Sequence, residues 1–233
     1  TSVSRGLGDV YKRQITISDE AGASASSGAL AANYTLTGGT HTFAINRKSV
    51  NIAGTRQYDG TTNIAAADIS AITDTVNSEV LTMSGGLGTT SSANVAAYNL
   101  VNTSQGTLTL ANGPSGANQG LAANYTLTGG TQDYTITQRV LNSSGSKTYD
   151  ANTDALAGAI TLSNLVSGEA LNHSGTATIS SANAGSYTIT NLSGISIADG
   201  SGGTASNYTL TGGTHNFTVN RRAVSVSGTR LYD

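Results

Sequence analysis

The sequence contains no cysteine and a single proline, and only 10% of its residues are charged. The lack of cysteine excludes disulfide bonds, thiolate catalysis and cysteine-ligated metal. Ordinary domains carry roughly 25% charged residues. With a formal net charge of −2, the chain offers no basic surface for nucleic acid. No apolar run approaches the roughly 18–20 residues that a membrane helix needs, so we expect no membrane span.

Two short motifs recur along the chain with a common spacing. The octapeptide Asn-Tyr-Thr-Leu-Thr-Gly-Gly-Thr begins at Asn33, Asn124 and Asn207. The pair Tyr-Asp begins at Tyr58, Tyr149 and Tyr232. Both motifs are separated first by 91 residues and then by 83. Two unrelated motifs that keep the same spacing indicate a module repeated in tandem.

The repeat divides the chain into two complete modules and two fragments. We expect complete modules at residues 47–137 (module 1) and 138–220 (module 2), the C-terminal part of a truncated repeat at 15–46, and the start of another at 221–233. Residues 1–14 match no part of the repeat and resemble translated read-through of a sequencing adapter. We interpret them as an artefact or a disordered segment, with a divergent linker as the alternative.

Each module is predicted to be all-β. Short segments of alternating apolar and polar residues lie between turn residues, and none shows sustained helical periodicity. About six or seven such strands per module predict an antiparallel, Ig-like β-sandwich, and such modules in tandem predict a rod. Each octapeptide and the alternating segment after it predict a hairpin that turns at Gly-Gly. A β-solenoid is the alternative architecture, although rung-length repeats of roughly 20–30 residues are not seen.

The residues that could carry chemistry recur with the repeat, which favours structural roles. His41 and His215 occupy equivalent positions, but the middle copy has Gln132 there, so a metal-binding or catalytic role for the histidine is not expected. In the Tyr-Asp pairs we expect the tyrosine to pack its ring and the aspartate to accept backbone N–H groups at a turn. The alternative, Asp59 and Asp150 as catalytic bases, lacks convergent partners.

Acidic loop residues raise the question of calcium. Asp19-Glu20, Asp59 and Asp199 could supply hard oxygen ligands, but none has the alternating acidic spacing of an EF-hand or of the nonapeptide calcium repeat. No metal and no cofactor are therefore predicted. The repeat-motif residues to which we assign structural roles are Asn33, Tyr34, Tyr58, Asp59, Gly60, Asn124, Tyr125, Tyr149, Asp150, Asn207 and Tyr208.

Four recurring elements together resemble a known repeat. They are Gly-x-Arg/Lys-x-Tyr-Asp, the turn at Val76-Asn-Ser-Glu79 and Val166-Ser-Gly-Glu169, Ser-Ala-Asn-x-x-x-Tyr, and the octapeptide. This series resembles the YDG-type repeat of large bacterial surface adhesins similar to filamentous haemagglutinin. The resemblance covers residues 15–233, with Ala151 in place of the motif glycine in the second copy. It implies an extracellular or cell-surface stalk, often exported by two-partner secretion.

We therefore expect a structural stalk segment of a cell-surface or secreted adhesin, in which modules in series hold a distal binding region away from the cell. Its partners would be neighbouring repeats of the same chain. The alternative is that each module itself binds a host glycan or host protein. An enzyme such as a glycosidase is not expected, because it would need a close pair of carboxylates at a suitable separation.

Overall fold

The computed structural model describes residues 31–35, 37–40, 42–99 and 105–232. The chain divides into two compact units, Thr1–Asn46 and Arg47–Asp233. In the first unit, Ala31–Asn33 form a single turn of 3-10 helix, and Tyr34, Phe43 and Ile45 are exposed. The predictions for residues 1–14, for Asp19-Glu20 and for His41 lie outside the described residues.

In the second unit the regular structure of the described residues is β-strand and single turns of 3-10 helix. The strands of module 1 are β1 (Lys48–Ser49), β2 (Asn51–Gln57), β3 (Asn63–Ala65), β4 (Ile69–Thr73), β5 (Leu81–Gly85), β6 (Leu87–Thr89), β7 (Ala96–Asn99), β8 (Thr109–Asn112), β9 (Tyr125–Thr126) and β10 (Gln132–Thr137). The strands of module 2 are β11 (Arg139–Val140), β12 (Asn142–Thr148), β13 (Asp154–Leu156), β14 (Ile160–Ser163), β15 (Leu171–Ile179), β16 (Gly185–Asn191), β17 (Ile195–Asp199), β18 (Tyr208–Thr209) and β19 (His215–Asn220). The 3-10 turns are Ala66–Asp68, Val76–Ser78, Ala122–Asn124, Ala157–Ala159 and Ala205–Asn207. Residues 221–232 are exposed and contain no strand.

Strand pairing follows the same order in the two modules. In module 1, β2 pairs in parallel with β10 and antiparallel with β4, and β10 pairs antiparallel with β7. Module 2 repeats these three pairings: β12 pairs in parallel with β19 and antiparallel with β14, and β19 pairs antiparallel with β16. The short parallel pair β1–β9 has its equivalent in β11–β18. Every ladder of the described strands joins strands of one module, unlike the rung-to-rung ladders of a β-solenoid.

The modules differ in how far their sheets are joined. In module 2, β15 is continuous over nine residues and links its neighbours into a seven-stranded, nearly closed and barrel-like sheet. In module 1 the equivalent stretch is divided into β5 and β6 at Gly86, where φ is +90°. A Cβ at this position would lie 1.9 Å from the Thr107 carbonyl oxygen, so the backbone at Gly86 is in close contact with the backbone at Thr107. Four strands of module 1 form one sheet and the others pair separately.

The all-β prediction is confirmed, but two details of the expected pairing are wrong. The first and last long strands of each module run parallel, whereas a purely antiparallel sheet was expected. This is possible because most of a module lies between them, so no tight turn joins them. Each module also contains more strands than the expected six or seven, because several of them are only two or three residues long.

The predicted Gly-Gly hairpin is also wrong. β9 does not pair with β10 but with β1, and β10 pairs with β2. Gly129 does adopt a positive φ, of 82°. The next glycine, Gly130, packs directly against β1–β2: a Cβ there would lie 2.0 Å from the Val50 carbonyl oxygen. The turn therefore redirects the chain onto another pair of strands instead of folding it back on itself.

The core follows the alternation of the sequence. Every second residue of β10 is buried, at Gln132, Tyr134 and Ile136, and β19 repeats this pattern with Phe217 and Val219. A period of two places alternate side chains on one face of a strand. The octapeptide tyrosines Tyr125 and Tyr208 are buried as well.

Candidate functional site: the junction between the modules

The Tyr-Asp turn begins immediately after β2 in module 1 and after β12 in module 2. The Asp59 carboxylate accepts the Thr61 N–H and the Thr61 hydroxyl, both at 2.9 Å, and forms an ion pair with Arg56. Asp150 accepts the Asn152 N–H at 3.1 Å and pairs with Lys147 at 2.9 Å. The hydrogen bond from Lys147, with a second from Asn152, lowers the pKa of Asp150. Each aspartate thus holds a turn together.

The residue after the aspartate has a positive φ in both copies. It is 80° at Gly60 and 66° at Ala151. A non-glycine residue in this region is strained, yet the turn keeps its conformation. The glycine therefore serves the backbone of the turn.

The tyrosine of the first turn crosses from module 1 to module 2. Its hydroxyl donates to Oε1 of Glu169 at 2.6 Å. The hydroxyl of Tyr208 donates to Oε2 of the same carboxylate at 2.5 Å. The two tyrosine rings meet edge to face, with centroids 5.4 Å apart and an interplanar angle of 79°. One carboxylate thus joins a tyrosine from each module.

Glu169 is positioned by module 2 itself. The Val166 N–H donates to the Tyr208 hydroxyl at 3.1 Å, and the Glu169 N–H donates to the Val166 carbonyl at 3.0 Å. Module 1 contains the same arrangement, in which Tyr125 donates to Oε2 of Glu79 at 2.6 Å. The tyrosine–glutamate pair is therefore part of every complete module, and Tyr58 adds to it from outside.

Burial and the nearby carboxylate raise the pKa of both tyrosines at the junction. Burial is the larger cause and the hydrogen bond to Glu169 the second, and together they raise the pKa of Tyr58 and of Tyr208 to about 12. Both hydroxyls therefore remain protonated donors far above neutral pH.

A second contact across the junction uses the octapeptide asparagine of module 2. Asn207 is fully buried; its Oδ1 accepts the Val95 N–H at 2.9 Å, and its Nδ2 donates to Oδ1 of Asn94 at 2.9 Å. The Arg139 guanidinium also reaches the Tyr58 carbonyl, at 3.4 Å. The equivalent asparagine of module 1, Asn124, is exposed.

Apolar packing is continuous across the same boundary. One buried cluster contains Tyr58 and Ile64 of module 1 together with Leu141 and Tyr208 of module 2. Gly60 lies against Val166: a Cβ at Gly60 would be 2.9 Å from its Cγ1. The two modules therefore share part of their core.

The histidines that the structure describes are held in structural hydrogen bonds. His215 is buried, with Nδ1 2.9 Å from the Ser143 hydroxyl and Nε2 2.8 Å from the Leu210 carbonyl. At the equivalent position Gln132 donates to the Leu127 carbonyl at 2.9 Å, which explains why glutamine can replace histidine there. His173 Nε2 lies within reach of two carbonyl oxygens of its own module.

Acidic residues do not converge in the described part of the chain. No group of three or more His, Cys, Asp or Glu side chains there could hold a metal ion. Asp199 accepts the Ala205 N–H at 2.7 Å, and at the equivalent place Asn112 accepts the Ala122 N–H at 2.8 Å. The carboxylate that raised the calcium question therefore caps a turn that an amide can cap equally well.

Two depressions lie outside the junction. An open groove of about 380 Å³ runs between β4 and β5, and no ionisable residue lines it. A smaller cavity of about 140 Å³ is lined by Lys147, Asp150 and Asp154, among others. Lys147 in that cavity is already bonded to Asp150 and to the Asn152 and Asp154 carbonyls.

The structure brings together some of the residues singled out from the sequence and leaves others apart. Tyr58, Asn207 and Tyr208 meet at the junction, whereas Asn124 and Tyr149 lie exposed elsewhere. Sequence reasoning missed the role of Glu169. Its recurrence as Glu79 after Val-x-Ser/Gly was the available signal, but recurrence alone does not identify a partner.

Residues 134–216 match the YDG domain family. The matched segment begins in β10 and ends in β19, so it contains most of module 2. Neither curated proteins nor solved structures yield a match to the chain. Among the described residues, no helix is both long and apolar enough to cross a membrane.

Proposed function

We propose that this chain is a structural stalk segment of a bacterial cell-surface or secreted adhesin. In this role the modules in series hold a distal binding region away from the cell, and the chain carries out no catalysis. The YDG domain supports the assignment through the adhesins in which such repeats occur. An extracellular or cell-surface location is part of the same proposal.

The observation that carries the proposal is the packed junction. A spacer needs neighbouring modules to keep their relative orientation, and a buried interface limits their freedom. Tyr58 is 5% exposed and is held by Glu169, and Asn207 is buried against Asn94 and Val95. Modules that bound ligands independently on a flexible linker would not require such contacts.

The connection between the modules is equally restrictive. β10 ends at Thr137 and β11 begins at Arg139, so Gln138 alone separates them. Its Nε2 donates to the Tyr208 carbonyl at 2.9 Å and to the Ser206 carbonyl at 3.2 Å. A one-residue connection with a bonded side chain leaves little room for bending. We therefore propose that further modules, joined in the same way, build a rod of sandwich-like β units.

The test is how the dimensions of the protein grow with module number. Small-angle X-ray scattering would compare the chain with versions that carry one and two additional copies of residues 138–220 inserted after residue 220. A rod predicts a constant increase in maximum dimension of roughly 23–33 Å per copy, from strands of about 7–10 residues at about 3.3 Å per residue. Growth that levels off, as in a collapsed or freely jointed chain, would refute the stalk.

The second candidate function is binding of a host glycan or protein segment by each module. The groove between β4 and β5 favours it, because it is open and lined by apolar residues such as Ile69, Ile72 and Met83. A glycan array and a pull-down with the full chain separate the two functions. Specific, saturable binding that is lost on filling the groove with Ala71→Trp would favour the second function over a passive stalk.

A further inference from the structure

We infer that the exposed Tyr149 face of module 2 is a docking surface for a further module of the same kind. This module would supply a glutamate, a tyrosine and an asparagine in the places that Glu169, Tyr208 and Asn207 occupy at the junction. The inference rests on the proposed function and identifies the partner and the residues through which modules are joined.

The Tyr149 turn has the same local structure as the Tyr58 turn. The Tyr58 N–H donates to the last strand of module 1, at the Thr137 carbonyl, and the Tyr149 N–H donates to the equivalent Asn220 carbonyl, each at 2.9 Å. The cation–aspartate pair and the positive φ that follow are present in both turns. What differs is coverage: Tyr58 is 5% exposed and Tyr149 is 38% exposed.

The loop at Asn183 of module 2 has the same hydrogen bonds as the loop at Asn94 of module 1. At the junction the Asn94 loop is held by the Ser92 hydroxyl, which accepts the Asn94 N–H at 3.2 Å, and by Tyr98, which donates to the Asn94 carbonyl at 2.5 Å. In module 2, Asn183 makes both contacts, with Ser181 at 3.2 Å and Tyr187 at 2.8 Å. Ala184 is exposed, whereas its equivalent Val95, whose N–H is bonded to Asn207, is half-buried.

The opposite face of the module carries the complementary groups. In module 1, Tyr125 occupies Oε2 of Glu79, as Tyr208 occupies Oε2 of Glu169. Asn124 is exposed where its equivalent Asn207 is buried. Each module therefore has one face that carries the tyrosine of the Tyr-Asp turn and the Asn94 or Asn183 loop. Its other face carries the glutamate and the octapeptide asparagine. Such an interface joins unlike faces head to tail, so the same contact can be repeated from one module to the next.

Hydroxyl-radical footprinting with peptide mass spectrometry tests this inference, because it reports side-chain exposure. The chain would be compared with an extended chain, in which a copy of residues 151–220 follows Asp233 and completes a third module. We expect the labelling rate of Tyr149 to fall about eightfold on extension, the ratio of the exposed fractions of Tyr149 (38%) and Tyr58 (5%). Changing the copied glutamate to alanine should restore labelling of Tyr149.

The matched control is Glu169→Ala in the same extended chain, which should expose Tyr58 and leave Tyr149 protected. Buried Tyr134 serves as the fold control, since its labelling rises only if module 1 unfolds. The inference is overturned if Tyr149 keeps its labelling rate in the extended chain while Tyr134 and Tyr58 stay protected. It is also overturned if Tyr149 is protected equally with and without the copied glutamate. If the extended chain binds a glycan specifically and Tyr149 is still protected, the stalk function is refuted but the docking surface is supported.

Discussion

Removing the Tyr58 hydroxyl should weaken the coupling between the modules without disturbing the packing. Tyr58→Phe keeps the ring against Tyr208 and deletes only the donor to Oε1 of Glu169. A hydrogen bond to a charged group contributes about 1.5–3 kcal/mol to the free energy of unfolding. We expect a loss near 1.5 kcal/mol, because Glu169 retains its bond from Tyr208.

The matched control is Tyr149→Phe. The Tyr149 hydroxyl makes no hydrogen bond to the described residues, and its side chain is exposed. A substitution of this kind changes the free energy of unfolding by no more than about 0.5 kcal/mol. Both variants would be measured by urea denaturation followed by circular dichroism, with linear extrapolation to water. Equal effects of the two substitutions would refute the junction as a source of stability.

A double-mutant cycle isolates the contact. If Tyr58 acts through the carboxylate, Tyr58→Phe should cost less in the Glu169→Gln background than in the parent, with a coupling energy above about 0.5 kcal/mol. The unfolding curve of the variants that lack this contact should also broaden or separate into two transitions, because the stability of tandem modules depends on the interface between neighbours. A coupling energy of zero would show that the two side chains act independently.

Three further predictions concern pH, the Gly-Gly turn of module 2 and the buried histidine. The pKa of Tyr58 and of Tyr208 is raised from 10.0 to about 12, so their contribution to stability is complete below pH 10 and is lost as the pH rises through 12. Tyrosine ionisation in the folded chain can be followed by absorbance at 295 nm. A single transition centred near pH 10 would contradict this prediction. Gly213→Ala places a Cβ 1.9 Å from the Leu141 carbonyl oxygen and should lower the free energy of unfolding by more than about 2 kcal/mol, measured by the same urea denaturation. In the control Gly158→Ala, the added Cβ meets nothing within 4 Å, so the free energy of unfolding should change little. His215→Gln should lower the free energy of unfolding by less than about 1 kcal/mol, because Gln132 makes the equivalent bond in module 1. His215→Ala leaves the Leu210 carbonyl without its donor and should lower it by about 1–3 kcal/mol. Equal denaturation midpoints for the two variants would argue against this role of His215.

The sequence predicted the strands better than their partners. The alternation in Gln132–Thr137 identifies β10 and its buried face, because side-chain period depends only on local backbone geometry. The same alternation says nothing about which strand lies beside β10. The expected hairpin failed for this reason: β2, the parallel partner of β10, lies near the start of the module, at a distance that no local pattern reveals.

The site was only partly predictable for a related reason. The Asp59 and Asp150 turns could be anticipated because their hydrogen bonds join residues two positions apart. The bond from Tyr58 to Glu169 joins residues 111 positions apart and belongs to one boundary between modules. Glu79 and Glu169 look alike in the sequence, and only the fold distinguishes the one that Tyr58 reaches.

The parallel pairing of β12 with β19 determines how module 2 would respond to tension along the chain. Force enters at the N-terminal end of β12 and leaves at the C-terminal end of β19, so it drags the two strands past each other along their length. All six paired positions, from Ser143–His215 to Thr148–Asn220, then bear the force at once. An antiparallel pair pulled from one end would instead unzip one bond after another. The geometry makes module 2 hard to extend along the line from its first long strand to its last.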